Sequence, residues 1–144
     1  MLNNGNNIAA NQYRTVDTET GVDAATPHRL IQMLLDGALG KIAMAKGAMQ
    51  RADIQQKGDL ITSASSIILG LQCSLDMDAG GELASNLDNL YDYMVRRLME
   101  SHLNNDLAGL DEVASLLREI KRGWDAIPQE AINGGQLVPS AAGA

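Results

Sequence analysis

His28, His102 and Cys73 are the residues from which metal or nucleophilic chemistry would have to be built. A metal centre in a helical bundle needs Glu-x-x-His on paired helices, so that carboxylate and imidazole share a face. Glu100-Ser101-His102 has the wrong spacing for that. His28 follows Pro27 in the first turn of a predicted helix, where a surface position is expected. Cys73 lies in an uncharged stretch with no base nearby in sequence, so a small half-buried apolar role is expected rather than a nucleophile. A single cysteine has no internal disulfide partner and fits a reducing compartment. Gly80-Gly81-Glu82 reads as a helix N-terminus, with Glu82 at the favourable end of the dipole, not as a phosphate loop. No acid–base pair converges. The residues therefore predict no catalytic, cofactor-binding or metal-binding site, and no enzyme.

Charge and composition narrow the partners. There are 18 Asp and Glu against 11 Lys and Arg, a net charge of −7 on 144 residues. Such a surface repels nucleic acid and does not attract anionic membranes. With no Phe, one Trp and three Tyr, base-stacking platforms are nearly absent. The start, MLNNGNNIAANQYR, has no basic region followed by an apolar run, unlike a secretory signal. No apolar stretch reaches the roughly 20 residues that span a bilayer. The expectation is a cytoplasmic protein without direct membrane insertion. The apolar residues are mainly Leu, Ile, Ala and Met, which favour helices over strands.

Those residues fall into four helical patterns. Thr26-Pro27 gives an N-cap hydroxyl and a proline at the first helical position. Leu30, Leu34, Ala38, Ile42, Ala45 and Met49 then recur at steps of three and four, ending near Ala52. A second helix, from about Lys57 to Asp76, carries an inner stripe of Leu60, Ala64, Ile67, Leu71 and Leu75. A third follows Gly80-Gly81, with Leu83, Leu87, Leu90, Met94 and Leu98. Asp106 caps a fourth, with Leu110, Val113, Leu117, Ile120, Trp124 and Ile127. Four such helices and short loops predict an all-α antiparallel up-down four-helix bundle over residues 26–127. Residues 1–25 read as an N-terminal arm, and residues 128–144, with Gly134-Gly135 and Pro139, as a disordered C-terminal tail.

The second helix breaks the usual pattern of a charged outer face. LITSASSIILGLQCSL, from Leu60 to Leu75, has no charge in sixteen residues. Ile61 and Ile68 widen one edge of its inner stripe. Leu69 and Cys73 fall nearly opposite it, beside Thr62, Ser65 and Ser66. A helix neutral all round is normally covered. Tyr91, Val95 and Met99 widen the apolar arc of the third helix. Together these edges predict a groove for an amphipathic partner helix, lined by Ile61, Ser65, Ile68, Leu69, Gln72, Tyr91, Val95 and Met99. A homodimer face, another protein partner of an adaptor bundle, or the arm itself through Ile8, Tyr13 and Val16, fits the same neutral surface. A histidine phosphotransfer domain is a further alternative, but His102 has no adjacent lysine to hold a phosphate.

Two stretches carry a resemblance. Thr26-Pro27-His28-Arg29-Leu30-Ile31-Gln32-Met33-Leu34-Leu35-Asp36-Gly37-Ala38-Leu39 resembles the first-helix signature of the flagellin-specific export chaperones, the FliS family. Gly80-Gly81-Glu82-Leu83-Ala84-Ser85-Asn86-Leu87-Asp88-Asn89-Leu90-Tyr91-Asp92-Tyr93-Met94 resembles a second signature. Tyr13, Lys57-Gly58, Leu75-Asp76 and Trp124 fit in order and spacing, so the likeness spans about residues 10–127. It implies a cytoplasmic, non-enzymatic chaperone. Such a chaperone binds the disordered C-terminal region of flagellin, prevents premature polymerisation, and delivers flagellin to the cytoplasmic domain of the flagellar type III export gate. It also implies that the arm around Tyr13, with Ile8 and Val16, caps the binding surface and is displaced by the client.

Overall fold

In the computed structural model the structure describes residues 26–128 and 130–131. Residues 1–25, read as the arm, lie outside the described residues, as does the tail apart from residues 128, 130 and 131. Four helices run in order: α1 Pro27–Gln50, α2 Ile54–Cys73, α3 Met77–Asn104 and α4 Leu107–Asp125. Each packs on the next, and α4 closes against α1. Contacts between neighbours run antiparallel. Along α1 and α4, Gln32 pairs with Asp125, Asp36 with Lys121 and Lys46 with Asp111. The predicted all-α, up-down-up-down bundle is the fold.

The caps set the boundaries. Thr26 Oγ1 accepts from the Arg29 amide at 3.2 Å, with Pro27 beginning the helix. Asp53 accepts from Gln56 N, and α2 therefore starts three residues earlier than the apolar pattern suggests. Asp76 accepts from the amides of Asp78 and Ala79 and opens α3 ahead of the glycine pair. Gly81 then interrupts the helix with φ 53° and ψ −131°, a conformation that suits a residue without Cβ. Asp106 caps α4 as expected, accepting from Ala108 N at 3.0 Å.

The core departs from the sequence reading by about one position in three of the four helices. On α1 the buried residues are Ile31, Leu35, Ala38, Ile42, Ala45 and Ala48, while Leu30 is 43% exposed. Both stripes have helical spacing. The packed one is richer in alanine, which lets α2 approach; a Cβ on Gly37 would already lie 3.6 Å from Ile67 Cδ1. On α2, Ile61 and Ile68 are fully buried beside Leu60, Ala64 and Leu71, whereas Ile67 and Leu75 are half-buried. On α3, Ala84, Tyr91, Met94, Leu98 and Ser101 face inward, while Leu83 is exposed and Leu87 and Leu90 are half-buried. The α4 stripe holds: Leu110, Val113, Leu117 and Trp124 are buried, and Ile120 and Ile127 are half-buried.

Polar residues fasten the ends. His28 is buried rather than on the surface, because its ring stacks on Trp124 with centroids 4.9 Å apart. His28 Nε2 donates to the Trp124 carbonyl at 2.8 Å, and Trp124 Nε1 donates to the His28 carbonyl at 2.9 Å. At the opposite end Lys57, buried in the first turn of α2, donates to the His102 carbonyl at 3.0 Å and to the Asn105 side chain. Its cation thus sits on the negative end of the α3 dipole. Gly58 leaves room for the His102 ring, since a Cβ there would be 3.4 Å from His102 Cε1.

Between α3 and α4, Arg97 forks to Glu112, Glu100 and Asp106 at 2.8, 2.8 and 3.0 Å. Tyr93 also donates to Glu112. The Tyr93 hydroxyl and the Arg97 guanidinium hold the Glu112 carboxyl below the usual carboxylate range. Arg97 does the same for Asp106.

Candidate functional site

A helix that packs on two neighbours in a four-helix ring still has an outer face, and on α2 that face is neutral. Thr62, Ser66, Leu69, Gly70 and Cys73 are all exposed. Cys73, expected to be half-buried, is therefore a surface thiol. Two neighbouring helices leave a groove where their cylinders diverge. Here α2 and α3 enclose an open groove of about 570 Å³, lined by Leu69, Asn89, Asp92, Val95 and Arg96.

The structure brings together part of the predicted site. Leu69, 46% exposed, and half-buried Val95 form the apolar floor. Met99, one helical turn beyond Val95, is 47% exposed and extends the stripe along α3. Half-buried Ser65 lies one turn before Leu69 on α2, and its buried hydroxyl has no hydrogen-bond partner among the described residues. Gln72 stands one turn after Leu69. Its Nε2 donates to Asp88 Oδ1 at 2.9 Å, to the Asp88 carbonyl at 3.2 Å and to Asp92 Oδ1 at 2.8 Å. That amide joins α2 to α3 at one end of the groove.

Ile61, Ile68 and Tyr91 do not line it. They are 1%, 0% and 2% exposed and belong to the core. The reason is angular: Ile61, Ala64, Ile68 and Leu71 form one continuous stripe at steps of three and four, and so do Tyr91, Met94, Leu98 and Ser101. Burial pushes the Tyr91 phenol up to about 12. Aspartate at position 68 would therefore disrupt the fold, and only surface positions can report on partner binding. The expected cap residues Ile8, Tyr13 and Val16 lie outside the described residues.

Three lining residues escaped the sequence reading: Asn89, Asp92 and Arg96. They are polar, so a search for an apolar stripe passes over them. Their signal was positional, because Asp92 and Arg96 flank Val95 within one turn. The Arg96 guanidinium lies 5.9 Å from the centre of the Tyr93 ring. Among the described residues, no three His, Cys, Asp or Glu side chains converge as metal ligands would. No described helix is long and apolar enough to cross a membrane. The groove has an apolar floor with a polar rim.

Comparison with known proteins agrees in extent as well as kind. The family described as Flagellar protein FliS matches residues 9–131. The flagellar secretion chaperone FliSB of Pseudomonas aeruginosa is 53% identical over 119 residues, covering 83% of this chain and 94% of that protein. The flagellar secretion chaperone FliS of Vibrio cholerae is 41% identical over 121 residues, 84% of this chain and 89% of that protein. That of Salmonella typhimurium is 42% identical over 120 residues, 83% and 89% of the two chains. The match runs through all four helices and both faces of the groove, and the chain belongs to the FliS family.

Proposed function

We propose that this chain is a cytoplasmic, non-enzymatic flagellar secretion chaperone whose client is the C-terminal segment of flagellin. It keeps that segment from polymerising and presents the cargo to the cytoplasmic domain of the flagellar export gate. The observation that carries the reading is the groove of Leu69, Val95 and neighbouring Met99 beside an uncharged α2 face. Polymerising subunits bury apolar helical stripes against one another, so a chaperone that covers such a stripe competes with assembly. A disordered client that folds on binding spends part of its contact energy on ordering, which leaves the complex specific yet releasable.

The test is a calorimetric titration of the full chain with the C-terminal segment of flagellin from the same source, with circular dichroism alongside. Stoichiometric binding with a negative heat-capacity change and a gain of helix is expected. Leu69→Asp should weaken binding roughly tenfold or more, since it removes buried apolar area and strands a charge in the interface. Its melting should stay near that of the parent, because Leu69 lies on the outside of the bundle and not in its core. A folded bundle that binds nothing at micromolar client would refute the client assignment.

The arm is the second part of this proposal. Ile8, Tyr13 and Val16 cap the groove until the client displaces them. Deleting residues 1–18 should raise client affinity or association rate while helical content is retained. Unchanged affinity and kinetics would remove the cap.

A further inference from the structure

The groove carries Asp92 and Arg96 in its lining, with Asp88 beside it where Gln72 joins α2 to α3. From Gly58 to Val95 the sequence has no Lys, Arg or His, but it has six acids: Asp59, Asp76, Asp78, Glu82, Asp88 and Asp92. That stretch covers nearly all of α2 and the first two-thirds of α3. The charge is concentrated where Gln72 meets α3. Its Nε2 has two hydrogens and faces three acceptors, two of them carboxylate oxygens of Asp88 and Asp92. Both carboxylates are therefore held within hydrogen-bond distance of one nitrogen. They are also four residues apart on one helix face, where like charges repel. A neutral amide positions them and cancels neither. Among the described residues neither is in an ion pair; Arg96, which lines the groove one turn beyond Asp92, lies over the Tyr93 ring instead.

Any helix that covers Leu69 and Val95 takes Asp92 out of water, because Asp92 lines the same groove. Stripping water from a carboxylate is unfavourable unless a donor or cation replaces it. We infer that the groove selects an amphipathic partner helix carrying a lysine or arginine one turn from its apolar contact, and that this cation docks on the Asp88–Asp92 pair held by Gln72. The inference rests on the proposed binding of the flagellin C-terminal segment and adds a charge requirement to it. The apolar floor supplies contact area, and the carboxylate pair fixes which way the helix lies.

Asparagine at both positions is the clean test, since its side-chain oxygen still accepts from Gln72 and the α2–α3 link survives. The probe is the C-terminal flagellin segment, titrated into the full chain at low and physiological salt. D88N/D92N should weaken binding roughly three- to tenfold at low salt and flatten its salt dependence. A control, D111N/E119Q, removes two exposed charges on α4, away from the groove, and should bind like the parent. Exchanging the basic residues of the probe for glutamine should weaken binding to the parent but not to D88N/D92N. If the parent binds and both double variants bind equally well, the carboxylate pair is not a recognition element and only this inference falls. If the parent does not bind at all, the client reading falls and takes this inference with it. Repeating the titration on a chain lacking residues 1–18 separates an internal source of cation. An effect of D88N/D92N that vanishes without the arm would assign the cation to Arg14 and overturn the partner's role.

Discussion

Gly109→Ala should cost the bundle about 3 kcal/mol, the upper range for inserting a methyl group into a packed core. Within a helix this exchange ordinarily stabilises by about 1 kcal/mol, so the opposite sign is diagnostic. Gly109 lies buried in the first turn of α4. A Cβ there would stand 1.8 Å from Ser101 Oγ and 2.9 Å from Arg97 Cζ. Ser101 is fully buried and donates to the Arg97 carbonyl at 2.7 Å, so its hydroxyl has no free space to rotate into without losing that bond. Arg97 is held by Glu112 and Asp106, so its retreat would break the fork that closes α3 on α4. Thermal denaturation followed by circular dichroism should show a fall of roughly 10–20 °C. The same substitution in a Ser101→Ala background should recover much of that loss, because the nearest obstructing atom is gone. A G109A chain that melts with the parent would show that the α3–α4 contact opens at little expense.

How much of this was legible in the chain can be read from particular residues. Thr26-Pro27 and Asp106 marked helix starts because capping is local chemistry, settled within four residues. The α4 stripe was legible because its flanking positions are charged, so only one face can turn inward. On α1, α2 and α3 apolar residues flank the stripe too. Leu30 and Ile31, or Ile67 and Ile68, satisfy the same spacing, and packing against a neighbour decides between them. That decision moved Ile61, Ile68 and Tyr91 from the expected groove into the core. Leu69, Ser65, Gln72, Val95 and Met99 kept accessible or seam positions, because the absence of charge on the outer face of α2 is a property of the sequence itself. His28 was misplaced for a different reason: its partner Trp124 is 96 residues away, and no local pattern announces it. Asn89, Asp92 and Arg96 enter the groove only through the antiparallel register of α2 and α3, which the sequence does not state.

Trp124→Ala should be the most destabilising single truncation at the other end of the molecule, about 4 kcal/mol as for large aromatic side chains removed from a core. Trp124 fills the space between the end of α4 and the start of α1 and is 7% exposed. Its loss leaves a cavity, removes the stack on His28, and removes the indole N–H bond to the His28 carbonyl. Trp124→Phe separates these contributions, since it keeps much of the ring volume and loses the hydrogen bond, and about 1–2 kcal/mol should follow. Urea unfolding read by circular dichroism is the suitable measurement, because both variants remove the single tryptophan. Equal midpoints for the two variants would show that the hydrogen bond, not the packed ring, holds this end. The His28–Trp124 clasp joins α1 to α4, whereas the groove lies between α2 and α3. Below its unfolding transition, the Phe variant should therefore bind the flagellin segment with the parent's affinity. A matching loss of binding would mean that the clasp and the groove are one cooperative unit, with the groove's geometry set from the far side of the bundle.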